Sequence, residues 1–373
     1  MSAAVVPPIP PPPHRLGARL LRSSLVDLLL GPHGVDRYLE LVRPVATVTE
    51  ARAEVIDVRR QTPRSATLTL RPNSAWTGFQ AGQFVRAGFE IGGVRRTRTY
   101  SPAGAEQDGH ECLELTVTVH PEGLVSRHVR DALAPGALVH LGPAQGEFVL
   151  SRPRPRRLVL ISGGSGVTPV MAMLRTLCAE GHDGEIVFLH YARAREDWLY
   201  EPEVRELARR HRHLRASYRS TRGPGAGPRL SADSLAADFG VSDDSWAAVC
   251  GPPALLEAAR TAWRELGGVR ERLLAETFTP APLADPGAVA QGTVSFLRSG
   301  RRVPIAGGTL LEQAEAAGLS PEFGCRMGIC HTCTCRKAEG AVRNLRTGVL
   351  STEQDEDIQL CVSAPAGDVA LEL

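Results

Sequence analysis

Four cysteines near the C-terminus, Cys325, Cys330, Cys333 and Cys361, constrain the fold of this 373-residue chain more than any other feature. A C-x4-C-x2-C run with a distant fourth cysteine is the spacing with which four thiolates hold a two-iron, two-sulfide cluster. The backbone between them must therefore wrap a buried, anionic object. Gly324 and Gly328, in Phe323-Gly324-Cys325-Arg326-Met327-Gly328-Ile329-Cys330, permit that close approach and let N–H groups turn toward sulfur. A four-cysteine zinc site would instead pair two short C-x2-C knuckles, and around Cys361 the second knuckle is missing. Cys335 is a further thiol close enough to Cys333 to stand in as a ligand. Cys361 is taken as the fourth because Leu360-Cys361-Val362 lies on an apolar, strand-like run. Cys112, Cys178 and Cys250 are scattered through apolar segments, and free, buried thiols of that kind predict a reducing compartment.

The length calls for two or three domains, and a hydrophobic content of 43% is enough to give each a core. A net charge of +2 from nearly equal acidic and basic counts leaves no electrostatic footprint for nucleic acid. No apolar run approaches the roughly 18–20 residues that span a bilayer. The proline-rich start, Met1 to Pro13, lacks the basic and apolar regions of a secretory signal, so a cytoplasmic protein is expected.

The chain divides by its patterning. Residues 1–50 form an extension: a disordered, proline-rich start, then a helix over Arg15 to Val42 with Leu16, Leu20, Leu21, Leu25, Leu28 and Leu29 at helical spacing among Arg15, Arg19 and Arg22. Such a helix suits packing on its own protein, or contact with the inner face of a membrane. Residues 51–151 alternate as short strands, at Glu54–Val58, Ala66–Leu70 and Leu113–Val119, separated by turn residues, which predicts an antiparallel β-barrel. After the linker Ser151 to Arg157, residues 156–280 alternate buried strands with helices, the signature of a parallel α/β sheet. A second linker, 281–291, precedes a strand-rich segment, 292–373, that carries the cluster cysteines.

Within the α/β segment, Leu158-Val159-Leu160-Ile161-Ser162-Gly163-Gly164-Ser165-Gly166-Val167-Thr168-Pro169 joins a buried strand to a helix. Gly164 and Gly166 let backbone approach a diphosphate at the positive helix N-terminus, with Thr168 expected at the N-cap and Pro169 at the first helical position. The turn departs from G-x-G-x-x-G, and no acidic residue follows at the distance a plain NAD site uses. Alone, such a turn is also an ordinary structural loop.

Arg98-Thr99-Tyr100-Ser101-Pro102 ends a predicted barrel strand, Gly123-Leu124-Val125-Ser126 opens a predicted helix over Ser126 to Leu133, and Cys250-Gly251-Pro252-Pro253 ends the strand Trp246 to Val249. Each has a bland reading, as an exposed edge strand or a simple strand-end turn. In this order, however, they resemble the R-x-Y-S, G-x-x-S and C-G-P motifs of the ferredoxin-NADP reductase family, here fused to a C-terminal plant-type ferredoxin. The resemblance covers residues 51–373. It implies a multidomain protein with an antiparallel β-barrel flavin domain, a parallel α/β nucleotide domain and an α+β (β-grasp) ferredoxin domain.

The resemblance also implies roles. Arg98 would pair with the diphosphate of FAD, favoured over FMN; Tyr100 would lie against the isoalloxazine; Ser101 would bond near its reactive nitrogen; Gly123 and Ser126 would bring a second helix N-terminus to that diphosphate. Cys250, Gly251 and Pro252 would face the nicotinamide, and Glu276 and Phe278 would reach back toward the flavin or pack as linker. Arg193 and Arg195, with Ser220 and Arg222, stand where NADPH-using relatives hold the 2′-phosphate, so NADPH is expected over NADH. A nicotinamide gives two electrons together and a 2Fe-2S cluster takes one, so a flavin must sit between them. Reductases of multi-component oxygenases and of acyl-lipid desaturases share this plan. The N-terminal helix favours a membrane di-iron fatty-acid desaturase as acceptor over a soluble oxygenase. A flavin and iron–sulfur redox sensor is the reading from a different class.

Overall fold

The computed structural model describes residues 36, 39–41, 43–121, 123–223, 225–278, 290–324, 326, 328 and 331–373. Most of the predicted helix Arg15 to Val42, most of the second linker, and Cys325 and Cys330 lie outside them. The chain forms two compact units, one built on the strands up to Glu276 and one on Thr277–Leu373.

The first unit begins with six antiparallel strands: β1 (Arg52–Thr62), β2 (Ser65–Pro72), β3 (Val85–Ile91), β4 (Val94–Tyr100), β5 (Leu113–Thr118) and β6 (Leu138–Leu141), in the order β4-β3-β6-β1-β2-β5. The sheet closes on itself where Pro102 pairs with Leu115 and the Ala103 N–H donates to the Glu114 carbonyl at 2.9 Å. Closure removes the exposed edges that an open sheet would present. Alternation explains the inner face, where Val55, Leu68, Leu70, Val85, Phe89, Leu113 and Leu115 are buried. A short helix, α1 (Leu124–Asp131), follows β5.

The same unit continues as five parallel strands: β7 (Arg157–Gly163), β8 (Glu185–Ala192), β9 (Leu214–Ser220), β10 (Ser245–Cys250) and β11 (Leu273–Glu276), ordered β11-β10-β7-β8-β9. Helices α2 (Val167–Ala179), α3 (Glu201–Arg210), α4 (Ala232–Asp238) and α5 (Pro253–Glu265) make the crossovers. Covered strands read as continuous apolar runs, and Leu158, Val159, Leu160 and Ile161 are all buried. The order reverses between β7 and β10, and at such a switch point the carboxyl ends of the strands leave a crevice for ligands.

In the second unit, β12 (Thr293–Phe296), β13 (Arg301–Pro304), β14 (Thr334–Asn344), β15 (Leu350–Ser351), β16 (Glu356–Gln359) and β17 (Ser363–Leu371) form a mixed sheet. Helix α6 (Leu310–Ala316) buries Leu310, Leu311 and Ala314 in one core with Val294, Phe296, Val342, Val369 and Leu371. Its start is fixed by a capping box, the Glu312 N–H donating to Thr309 Oγ1 at 3.2 Å and the Thr309 N–H to Glu312 Oε2 at 2.8 Å. Among the described residues no helix is long and apolar enough to cross a membrane.

Candidate functional site

At the carboxyl end of the parallel sheet one row of side chains runs across all five strands in register: Glu276, Cys250, Ser162, His190 and Tyr218. In-register residues of parallel strands point to the same face, so these groups form a polar line straddling the switch point. Ser162 Oγ lies 2.9 Å from His190 Nδ1, whereas His190 Nε2 is buried without a hydrogen-bond partner. Burial holds the imidazole down at about 3, hence neutral. Burial pushes the Glu276 carboxyl up to about 7, and its Oε2 is buried without a partner. The Cys250 thiol is raised well above its ordinary value by burial and then by Glu276, so it stays protonated and is no free nucleophile. Phe278 is partly buried just past β11. Gly251 and Pro252 follow β10 in the turn leading to α5.

The glycine turn supplies the anion end of the crevice. Gly164 takes a left-handed φ of +56° with open space where a Cβ would stand, and Gly166 is buried. The helix begins at Val167 after a 3-10 turn, not at Pro169; Thr168 is inside the first turn, where its Oγ1 donates to the Ser165 carbonyl at 3.2 Å instead of capping. The start of the helix therefore has no side-chain cap, and its N–H groups can meet phosphate oxygens. Beyond the ends of β8 and β9 the Arg222 N–H donates to the Arg193 carbonyl at 2.9 Å, so the two arginines are neighbours. Both are exposed, and neither has an ion-pair partner among the described residues. Arg195 is engaged locally, over the Trp198 ring at 5.4 Å and 3.9 Å from Glu201. Ser220 is buried and paired with Ala192.

In the barrel, Tyr100 ends β4 with its ring edge-on to Phe89 at 6.3 Å. Ser101 is 2% exposed, and its Oγ has no hydrogen-bond partner among the described residues. A buried hydroxyl left unpaired is costly, and a bound polar ring edge would satisfy it. Arg98 Nη1 donates to the Thr97 carbonyl at 2.8 Å. The second helix starts earlier than its sequence suggested, at Leu124 and not at Ser126, because Gly123 is the extended N-cap. Ser126 Oγ donates back to the Gly123 carbonyl and accepts from the His120 N–H, both at 3.1 Å, and a Cβ on Gly123 would strike Ser126 Oγ. This start also lacks a side-chain cap. The donors and the orphaned hydroxyl fit a flavin dinucleotide.

In the second unit Cys333 and Cys361 are buried, and the thiolates receive backbone donors: Gly328 N–H to Cys361 Sγ at 3.2 Å and Cys361 N–H to Cys333 Sγ at 3.5 Å. Such N–H groups on sulfur offset the charge of a bound cluster, and the pair fits two of four ligands. Gly328 has φ +68°, and a Cβ there would lie 2.9 Å from Val362. Cys335 sits on β14 opposite Ile358, its thiol raised by burial and 3.7 Å from the Arg336 carbonyl.

Sequence reasoning named Cys250 and Glu276 but missed Ser162, His190 and Tyr218 as their companions. They lie far apart in the sequence, on three separate strands, and only the register between strands shows that they align.

A closed barrel that fits a flavin dinucleotide, a switch-point crevice for a second dinucleotide and a thiolate loop for a cluster define a pyridine-nucleotide-dependent flavin and iron–sulfur reductase. Family models agree segment by segment: an oxidoreductase FAD-binding domain over residues 54–150, an oxidoreductase NAD-binding domain over 160–261 and a 2Fe-2S iron-sulfur cluster binding domain over 296–366. The chain is 37% identical over 342 residues to an NADPH oxidoreductase of Mycobacterium tuberculosis (strain ATCC 25618 / H37Rv), covering 91% of this chain and 88% of the relative. It is 28% identical over 322 residues to a glycine betaine monooxygenase reductase subunit of Pseudomonas aeruginosa (strain UCBPP-PA14), covering 79% and 87%. The structure of phthalate dioxygenase reductase shares the fold, with a TM-score of 0.60 at 22% identity over 86% of this chain and 97% of that one. The chain belongs to the ferredoxin-NADP reductase superfamily of flavoproteins that carry a C-terminal 2Fe-2S ferredoxin domain. FAD, a 2Fe-2S cluster and NAD(P)H are its cofactors.

Proposed function

We propose that the chain is the reductase of a multi-component oxygenase-type system, drawing on NADPH and delivering single electrons to a separate protein. The observation that carries the choice of NADPH is the Arg193–Arg222 pair, two exposed arginines whose backbones are joined by a hydrogen bond at the strand ends, with no carboxylate partner among the described residues. Such a pair suits a phosphate monoester and gives nothing to a ribose hydroxyl pair. The bound flavin converts a two-electron donation into single electrons for the cluster.

The protein's own groups act by placement. Arg98, Gly123 and the uncapped start of α1 hold the flavin diphosphate, Tyr100 covers the ring and Ser101 donates to its edge. The start of α2, with Gly164, Gly166 and Thr168 close by and Pro169 stiffening the turn, holds the dinucleotide diphosphate. Cys250, with Gly251 and Pro252 after it, shapes the nicotinamide pocket, and Glu276 keeps a proton there near neutral pH. Cys325, Cys330, Cys333 and Cys361 hold the cluster.

The relatives named as reductase subunits, one of a monooxygenase among them, support an oxygenase-class acceptor. The leucine stripe and arginines of residues 15–42 favour a second reading, a membrane-bound di-iron desaturase. Deleting residues 1–42 and measuring NADPH-driven electron delivery separates the two. If a desaturase in vesicles is the acceptor, the truncated protein keeps its flavin and its rate with soluble dyes but loses delivery to the vesicles. Unchanged delivery removes the desaturase reading. A full-length protein that does not turn over NADPH steadily with an artificial one-electron acceptor would be a flavin and iron–sulfur redox sensor and not this kind of reductase.

A further inference from the structure

Two side chains of the α/β domain, Arg175 and Tyr200, bond to residues of the barrel and are used by none of the roles above. Arg175 projects from α2, the helix that starts at the glycine turn. Its Nη1 donates to the Ala103 carbonyl at 2.7 Å and to Glu114 at 2.9 Å, both in the barrel, while its Nε and Nη2 fork onto Glu203 of α3 at 2.7 and 2.6 Å. One residue on, Thr176 Oγ1 accepts the Glu106 N–H of the same barrel loop at 2.9 Å. Burial works against the cation, but Glu203 and Glu114 more than offset it and hold the guanidinium above its ordinary range. The guanidinium also lies 5.2 Å over the Tyr200 ring.

Tyr200 completes the grip. Its backbone is left-handed, φ 59°, a conformation a tyrosine keeps only when its surroundings over-determine it. Here they do so through a closed ring of hydrogen bonds: the Tyr200 N–H donates to Gln61 Oε1 at 3.1 Å, Gln61 Nε2 to Thr67 Oγ1 at 2.7 Å, Thr67 meets Thr116 at 2.7 Å, and Thr116 meets the Tyr200 hydroxyl. Gln61, Thr67 and Thr116 are all barrel residues.

We propose that Arg175 is a positioning residue that fixes the spacing between the flavin loop and the dinucleotide helix, with Tyr200 as its second anchor. Ala103 is two residues beyond Ser101, and α2 begins at the turn that holds the dinucleotide, so this guanidinium ties the two binding segments together. A misplacement of about 1 Å between reacting groups costs on the order of a hundredfold in rate without weakening either ligand's own site. The inference rests on reading the barrel and the parallel sheet as holders of FAD and NADPH.

The test compares the holoprotein with Arg175→Met, Arg175→Lys and Tyr200→Phe. Three quantities are read: flavin content by absorbance, NADP+ affinity by flavin difference spectra, and the limiting rate of flavin bleaching by NADPH in rapid mixing. Arg175→Met should keep flavin and change NADP+ affinity by less than about threefold, while the limiting rate falls by about tenfold or more. Arg175→Lys, which retains charge without the fork, should fall between. Hydrogen exchange gives a readout independent of turnover: amides of residues 103–106 and 199–201 should lose protection in Arg175→Met even in flavin-free protein. If Arg175→Met sheds flavin, Tyr200→Phe, which removes one hydroxyl, decides through the same rate and exchange measurements. A wild-type limiting rate with wild-type protection, or a loss confined to NADP+ affinity, overturns the proposal. A wild-type protein bleached by neither NADPH nor NADH would instead overturn the functional reading.

Discussion

Ser162 Oγ and His190 Nδ1, 2.9 Å apart and wholly buried, join the two central neighbouring strands of the parallel sheet immediately before the glycine turn. Burial keeps the imidazole neutral, and among the described residues no partner on Nε2 stabilises a charge there.

That neutrality gives a pH signature. The folded value of about 3 lies below the ordinary 6.5, so between those limits the unfolded chain binds a proton that the native protein refuses. Stability is therefore lost as pH falls from about 6.5 toward 3, at about 1.4 kcal/mol per pH unit. His190→Asn should remove one proton's worth of that slope in denaturant titrations between pH 4 and 6.5. An unchanged slope would mean the ring is protonated or solvated in the native protein.

Glu276 has the opposite sign. Its folded value of about 7 lies above that of an unfolded glutamate, so the native protein holds a proton that the unfolded chain releases, and stability declines as pH rises from about 4.5 to 7. Glu276→Gln should be more stable than the wild type at pH 8 by on the order of 2 kcal/mol and indistinguishable near pH 4.5. Thermal melts at the two pH values check this. The same variant should flatten any step near pH 7 in the rate of flavin bleaching by NADPH.

The cysteines separate by position. Cys333→Ser and Cys361→Ser should each lose the cluster while retaining flavin and dye reduction, whereas Cys335→Ser, on a strand opposite Ile358, should keep it. Iron content, visible absorption and the reduced-state electron paramagnetic resonance signal read the outcome. Gly328→Ala should also impair cluster retention, since its backbone is left-handed and its Cβ would meet Val362.

Arg193→Ala and Arg222→Ala should weaken NADPH by roughly 10- to 100-fold, the equivalent of a charge-assisted hydrogen bond of about 1.5–3 kcal/mol, and leave NADH nearly unchanged. Equal losses for both dinucleotides would show that the pair is a solvated basic face. Arg195→Ala should have a smaller effect, because that guanidinium is already spent on Trp198 and Glu201.

The barrel strands were readable because alternate burial leaves a period of two, and the parallel strands because double coverage leaves unbroken apolar runs. The 2Fe-2S cluster was readable because the spacing of its cysteines is dictated by the metal. Helix starts were displaced by two residues: at Thr168 a 3-10 turn runs straight into the helix, and at Ser126 the hydroxyl folds back onto Gly123. Arg175 and Tyr200 were invisible for a different reason. Their barrel partners are about 60 to 140 positions away, and neither an arginine within a helix nor a tyrosine before one names such a partner in the sequence around it.

The row from Glu276 to Tyr218 belongs to strand ends, where register is shared, and not to the loops beyond them. Slipping any one strand by a single residue would swing its member to the opposite face and break the line. The loops carry no such penalty. On the proposed reading of Arg193 and Arg222, substitutions, insertions or whole exchanges after Ala192 and Ser220 would retune which dinucleotide is accepted while the row stays in place, leaving the electron source open to change without rebuilding the strand ends behind it.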